Sequence, residues 1–284
     1  MTRAGLAGSA ILALCAAPAI AADLPVKARP MVPVMTVYNW SGCYIGGNVG
    51  GKWARTSGEV DNGAATGPAG TTPASIFPLV GTTSGTVIGG GQVGCNWQAQ
   101  GSNWVFGVEG DADAQRWSAS RTALGAPLPF NFVPGDTFDF RSNWQASLRG
   151  RIGYAWDRSM IYGTGGVGFT NVRVGSTWVP AFIGTIPVPG LAVTDSKTLF
   201  GPTAGLGVEY AFTNNWSFGV EGRYTWYGTQ SFNAGAIASA AIGPAAAPTL
   251  TLAPNTQSIR VETFEVTARL NYKFDWGSPV VARY

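Results

Sequence analysis

Histidine is absent from all 284 residues. A Ser–His or Asp–His catalytic arrangement is therefore impossible, because the side chain best suited to proton transfer near neutral pH is missing. Cysteine is scarce, at three. Two scattered thiols beyond Cys15, with no imidazole, give no basis for a transition-metal centre. Charge is scarce as well. Asp, Glu, Lys and Arg make up 12% of the chain, about half the fraction usual in soluble domains. The net charge of +3 is spread along the sequence, and no Lys/Arg block marks a nucleic-acid footprint. No apolar run reaches the roughly 20 residues of a membrane-spanning helix. The Ala-rich stretch 234–247 comes nearest, but Gly235, Gly243 and Pro244 interrupt it. It is expected to be a low-complexity loop.

The first residues have the pattern of an export signal. Arg3 supplies a positive start, 10–17 is an apolar run, and Ala19-Ile20-Ala21 is an A-x-A cleavage pattern. Cleavage is expected after Ala21 or Ala22. The run is short for a signal anchor. Leu14 stands before Cys15, where a lipoprotein site needs a small residue. The expected organisation is a signal peptide at 1–22, a Pro-rich linker at 23–37, a single domain at 38–274 and a tail at 275–284.

What the rest of the chain does have is alternation. It is 45% apolar with 40 glycines and 11 tryptophans, and its apolar residues recur every second position, as on a strand. Eight segments show this: 40–53, 86–98, 104–114, 141–156, 160–172, 199–212, 216–227 and 260–274. Each is about as long as a tilted membrane strand, roughly 10 residues or a little more. Their connections alternate between short (99–103, 157–159, 213–215) and long (54–85, 115–140, 173–198, 228–259). Such asymmetry marks an antiparallel barrel with short turns on one side of a membrane and long loops on the other.

The two faces differ sharply. In 141–156 one face carries Trp144, Leu148, Ile152, Tyr154 and Trp156, and the other Gln145, Ser147, Arg149 and Arg151. In 216–227, Trp216, Phe218, Val220, Tyr224 and Trp226 alternate with Ser217, Glu221, Arg223 and Thr225. Between the two sets of aromatic residues no charge falls on the apolar face of any segment; Arg260 and Glu262, at the start of 260–274, share its parity beyond Phe264. The polar face carries Lys52, Arg149, Arg151, Arg223, Arg269 and Lys273, together with Glu109, Asp111, Asp113, Glu209, Glu221 and Glu265. A charge-free face suits lipid, where an Arg or Lys at the midplane costs about 2–4 kcal/mol. It equally suits the core of a soluble sandwich. Aromatic placement favours lipid. Trp97, Trp104, Trp156, Phe212, Trp216 and Phe274 flank the short turns, and Trp53, Trp144, Phe169, Trp226 and Phe264 lie toward the long connections. Two such girdles match the two interfaces of a bilayer.

An eight-stranded barrel has no wide aqueous lumen, so its polar face must pack inside. The expected lumenal network comprises Glu109, Asp111, Arg149, Arg151, Glu209, Glu221, Arg223, Glu265 and Arg269. Counting from the short turns sets Glu109 level with Arg151 and Asp111 level with Arg149. Cys43 and Cys95 both fall on the apolar face of paired strands. A disulfide in the oxidising export route and two free lipid-facing thiols are both open.

Tyr38-Asn39-Trp40-Ser41-Gly42-Cys43-Tyr44-Ile45-Gly46-Gly47-Asn48, following an Ala-Ala-Asp-Leu-Pro stretch, resembles the small outer-membrane β-barrel proteins of alphaproteobacteria, which are similar in fold to the membrane domain of OmpA. Gly107-Val108-Glu109-Gly110-Asp111, Ser147-Leu148-Arg149-Gly150-Arg151-Ile152-Gly153-Tyr154 and Leu270-Asn271-Tyr272-Lys273-Phe274 carry the same resemblance. It implies an all-β, eight-stranded antiparallel transmembrane barrel and a surface protein supporting envelope integrity, with pore or host-contact activity in some members. It implies no catalytic residue and no cofactor. The implied partners are outer-membrane lipid, lipopolysaccharide and the outer-membrane assembly machinery. One departure is that ten residues follow Phe274, so either Phe274 or Tyr284 could be the aromatic assembly signal.

Gly163-Thr164-Gly165-Gly166-Val167-Gly168 matches a dinucleotide-loop pattern, but such a loop needs a following helix. Here alternation continues through Phe169-Thr170-Asn171-Val172. Glu109 and Asp111 are two same-face residues rather than a catalytic pair. The competing functions are a structural surface protein, a narrow porin, and a soluble ligand-binding barrel in the periplasm. The long connections carry little charge, including Arg55, Glu59 and Asp61, which suggests no strong electrostatic partner.

Overall fold

The computed structural model describes residues 38–62, 65–67, 70–72, 75–122, 135–183, 186–241 and 249–274. The expected signal peptide, linker and C-terminal tail, Tyr284 included, lie outside the described residues. Eight antiparallel strands close into one barrel. They are β1 (Gly42–Asn62), β2 (Ser75–Gln98), β3 (Trp104–Thr122), β4 (Thr137–Trp156), β5 (Ser159–Trp178), β6 (Leu191–Ala211), β7 (Trp216–Ala241) and β8 (Thr249–Lys273). Each pairs with its neighbour in sequence. β1 closes the ring against β8, from Tyr44 opposite Lys273 to Asn62 opposite Asn255. Two short ribbons, Ala65–Gly67 with Gly70–Thr72 and Ala181–Ile183 with Ile186–Val188, stand apart from the barrel sheet.

The short turns follow local chemistry. Between β2 and β3, Ser102 N–H donates to Ala99 O at 3.1 Å. Gly101 there has φ +73°, a conformation that costs glycine little. The β4–β5 turn is Asp157-Arg158, with Asp157 at φ 54°, where Asp is tolerated better than most residues. Between β6 and β7, Trp216 N–H donates to Thr213 Oγ1 at 2.9 Å.

The faces settle which way the barrel is turned. Leu148 is 66% exposed and Val220 39%, whereas Arg149 is 3%, Glu221 2% and Arg269 4% exposed. Charge is inside and oil outside, the reverse of a soluble barrel or sandwich. Both aromatic girdles point outward, from Trp97, Trp104, Trp156 and Trp216 at the short-turn end to Trp53, Trp144, Trp226 and Phe264 further up.

The strands run well past that upper girdle. They are 19 to 26 residues long, so the described parts of 54–85, 115–140, 173–198 and 228–259, expected as loops, are largely strand. The reason is a reversal of sense. Above the girdle the barrel leaves hydrocarbon for water, so polar residues face out and apolar ones turn in. On β5, Ile161, Val167 and Phe169 face out below, but Val172, Val174 and Trp178 face in above. Bulges achieve this on β4 and β7. Trp144 and Asn143 are both exposed, so Phe140 and Phe138 fall inside. On β7 the register breaks between Trp226 and Thr229, and Gly228 has φ +71°. Phe232, which unbroken alternation would expose, is buried. A bulge adds one residue to one strand and so exchanges its two faces beyond that point.

Candidate functional site in the barrel lumen

The lumen is filled by three stacked layers. At the short-turn end lies an apolar plug of Tyr38, Trp40, Val105, Ala155, Met160, Tyr162 and Ala211. The segment before β1 supplies its lid. Trp40 N–H donates to Gln98 Oε1 at 2.9 Å, and its indole N–H to Asp157 O at 3.3 Å. Tyr38 packs edge-on against Trp40 with ring centroids 5.0 Å apart. Lys273, on the polar face of β8, is drawn to this end, with its ammonium 4.2 Å from the Tyr38 ring centre.

The middle layer is ionic, and all nine lumenal residues singled out by their face and charge point into it. Arg149 is its hub. It reaches Glu109 at 2.5 Å, Asp111 at 2.8 Å and also Glu221. Arg269 bridges Glu109, at 2.5 Å, to Glu221. Arg223 bonds Asp111 at 2.7 Å, Asp113 at 3.5 Å and Glu265. Arg151 pairs with Glu209, and its guanidinium lies 3.6 Å from the Tyr162 ring centre. Lys52 donates to Gln145 Oε1 at 2.5 Å, and Gln145 donates to Asp113 at 2.9 Å and Glu265 at 2.8 Å. The register offsets both level-counted pairs by two residues, a shift of the size barrel shear is expected to produce. Glu109 stands opposite Arg149 and Asp111 opposite Ser147, although Asp111 still reaches Arg149. Tilted strands are staggered, so equal distance from a turn is not equal depth.

Burying so many charges is tolerable because each carboxylate and guanidinium is ion-paired and the Lys52 ammonium is hydrogen-bonded through Gln145 to Asp113 and Glu265. Neutral donors complete the shell. Tyr44 donates to Glu109 at 2.5 Å, Ser147 to Asp111 at 2.5 Å, Ser217 to Glu209 at 2.5 Å and Asn271 to Glu209 at 2.9 Å. The tyrosines and Gln92 were not expected in the network, and Gln145, placed on the polar face, was not assigned to it, although all share the inward parity of Lys52 and Arg149. Aromatic and amide side chains on a polar face carry no charge signal. The space left among Asn48, Asp111, Asp113, Arg149, Glu221, Arg223, Thr267 and Arg269 is about 10 Å³, room for about one water molecule.

The third layer lies toward the rim. Trp117, Phe138, Phe140, Val172, Val174, Trp178, Leu199, Tyr227, Phe232, Ile259 and Val261 form a second apolar plug, in which Phe138 and Trp178 meet edge-on at 5.5 Å. Outside the lumen, Cys43 and Cys95 face each other in register on β1 and β2 and are joined as a disulfide on the outward face. Among the described residues no cluster of His, Cys, Asp and Glu could hold a metal ion. Glu109 and Asp111 are both engaged by arginines and present no free carboxylate pair.

The sequence matches the outer membrane protein beta-barrel domain family over residues 7–274. It is 30% identical over 229 residues to the 31 kDa outer-membrane immunogenic protein of Brucella melitensis, covering 78% of this chain and 87% of that protein. It is 27% identical over 275 residues to the 25 kDa outer-membrane immunogenic protein of Brucella abortus, covering 94% and 95%. A 22 kDa outer membrane protein of Rhizobium leguminosarum is 33% identical over 51% of this chain and 55% of its own. Among solved structures, the outer membrane protein OprG of Pseudomonas aeruginosa aligns over 84% of this chain and 98% of its own, with 11% identity and a TM-score of 0.38. The oil-out, charge-in barrel and the family match lead to one conclusion: this chain belongs to the outer membrane protein beta-barrel domain family and is a protein of the Gram-negative outer membrane.

Proposed function

We propose that the protein is a closed, non-catalytic barrel that supports envelope integrity and presents its rim and long connections at the cell surface. The observation that carries this is the lumen. Two apolar plugs enclose an ionic layer in which every carboxylate and guanidinium has an ion-pair partner, so a solute would have to unpack all three in turn. The Brucella relatives are named immunogenic proteins, which accords with a surface-displayed rim. In this reading 1–22 is a removed export signal, 23–37 a periplasmic linker and 275–284 a tail. The nine lumenal residues are structural, and lipid, lipopolysaccharide and the assembly machinery are the partners. A narrow porin is the competing function. Planar bilayers holding the purified full chain are expected to show no steady single-channel current. A reproducible current from correctly folded, heat-modifiable protein would replace this proposal with the porin.

A further inference from the structure

Above the upper girdle the outward face carries Arg55, Arg116, Arg141, Arg173 and Arg260, all exposed. They fall into two groups. Arg55 stands opposite Glu262 across β1 and β8, and Arg260 is two residues from Glu262 on the same strand. Those two have a carboxylate beside them. Arg116, Arg141 and Arg173 sit on the adjacent strands β3, β4 and β5. Arg141 is directly opposite Arg173 in the register, and Arg116 lies in the bulge between the Ala114–Trp144 and Trp117–Ser142 pairs. Like charges directly opposite on a sheet destabilise it, so this arrangement needs an anion. One outward carboxylate, Asp139, lies two residues from Arg141 on β4 and opposite Gly175 of β5, so these three arginines share a single carboxylate where Arg55 and Arg260 share Glu262 between two. No ion pair among the described residues engages any of the five arginines, so the two groups differ in the number of arginines per carboxylate. The connection 123–134 between β3 and β4 contains no Asp or Glu.

We infer that Arg116, Arg141 and Arg173 form a binding surface for the phosphate groups of outer-leaflet glycolipid. Height selects the partner. Arg141 is three residues beyond the outward Trp144, and Arg173 four beyond Phe169. At about 3.3 Å per residue on tilted strands, their stems start roughly 8–10 Å above those rings, in or just above the headgroup layer. Strands about 4.8 Å apart place the three side chains within roughly 10 Å of one another. Guanidinium forks bind phosphate oxygens two at a time, and their long stems can bend down toward the interface. The partner is thus an anionic phosphate fixed in the membrane plane. The sparse charge of 115–140 and 173–198, expected to give no electrostatic partner, becomes a site once the strand extensions bring it together. The inference rests on the outer-membrane location and is independent of whether the lumen is closed.

The test uses the folded full chain in phosphatidylcholine nanodiscs containing diphosphoryl lipid A, with bound lipid counted by native mass spectrometry. Wild-type protein should retain lipid A. The triple variant Arg116→Gln/Arg141→Gln/Arg173→Gln should bind at least tenfold more weakly, and the control Arg55→Gln/Arg260→Gln within about twofold of wild type. Dephosphorylated lipid A should reproduce the loss on wild-type protein, an arm that needs no variant to fold. Equal retention of dephosphorylated lipid, an unchanged triple variant, or an equal loss in the control would overturn the inference. So would tight binding of inorganic phosphate to the detergent-solubilised protein, which would make the site one for a soluble anion.

Discussion

In the proposed reading, Arg149 is an ionic residue that holds the barrel together rather than an active-site group. Its guanidinium meets Glu109, Asp111 and Glu221, from β3 and β7, and donates to Thr164 Oγ1 at 3.1 Å. Those carboxylates are almost wholly shielded from water. Arg149→Met should therefore cost about 3–5 kcal/mol, the usual price of stranding buried charge. Arg149→Lys should lose less, because it keeps the charge but not the fork. Urea unfolding in lipid vesicles, followed by gel mobility before and after boiling, measures both. Equal stability of Arg149→Met and wild type would mean the network is relaxed or hydrated in the membrane. The disulfide is a separate, covalent contribution. Cys43 and Cys95 lie 52 residues apart, and closing such a loop is worth about 2–4 kcal/mol. The Cys43→Ser/Cys95→Ser variant should fold but unfold at lower urea, and reductant should shift wild type the same way while leaving the variant unmoved.

At the scale of the element, the bulges do what alternation alone cannot. Up to Trp144 and Trp226 the strands keep lipid-facing parity, and beyond those residues the bulged strands exchange faces. This predicts a labelling pattern in a Cys43→Ser/Cys95→Ser background. Arg173→Cys and Thr177→Cys, outward above the girdle, should react with a membrane-impermeant maleimide. Val172→Cys and Val174→Cys, inward among Trp178 and Leu199, should not, and Leu148→Cys should react only with a lipid-soluble reagent. Reaction at Val174→Cys as fast as at Arg173→Cys would show that the strand extension is not a closed barrel. The same boundary explains what could be read from sequence. Below it, a period of two with opposite chemistry on its faces makes each inward charge, such as Glu221 or Arg269, identifiable by parity. Above it, small residues such as Gly175, Ser176 and Thr177 blur the contrast, and Phe138, Phe140 and Phe232 have their parity reset by bulges. Which guanidinium meets which carboxylate depends on stagger between strands, a non-local quantity. Arg141 and Arg173, 32 positions apart, become neighbours only through that register.

For the whole molecule, the decisive property is that its barriers stand in series. A conducting path must cross the Trp40–Met160 plug, the ionic layer and the Phe138–Trp178 plug, and the tightest of these limits the current however open the others are. Removing charge from the middle layer should therefore cost stability without making a pore. Arg269→Gln breaks the links to Glu109 and Glu221, yet both apolar plugs remain. Trp40→Ala/Met160→Ala thins the lower plug, but the ionic layer and the upper plug still stand. Each should be as silent as wild type in planar bilayers. A combination with Trp117→Ala and Trp178→Ala, which thins the rim layer as well, should be the first to give current. It should select by size only weakly, since it would be a defect rather than a built pathway. If Arg269→Gln alone opened a steady, ion-selective current, the apolar layers would have to be permeable in the membrane. The ionic layer would then be a gate rather than a strut.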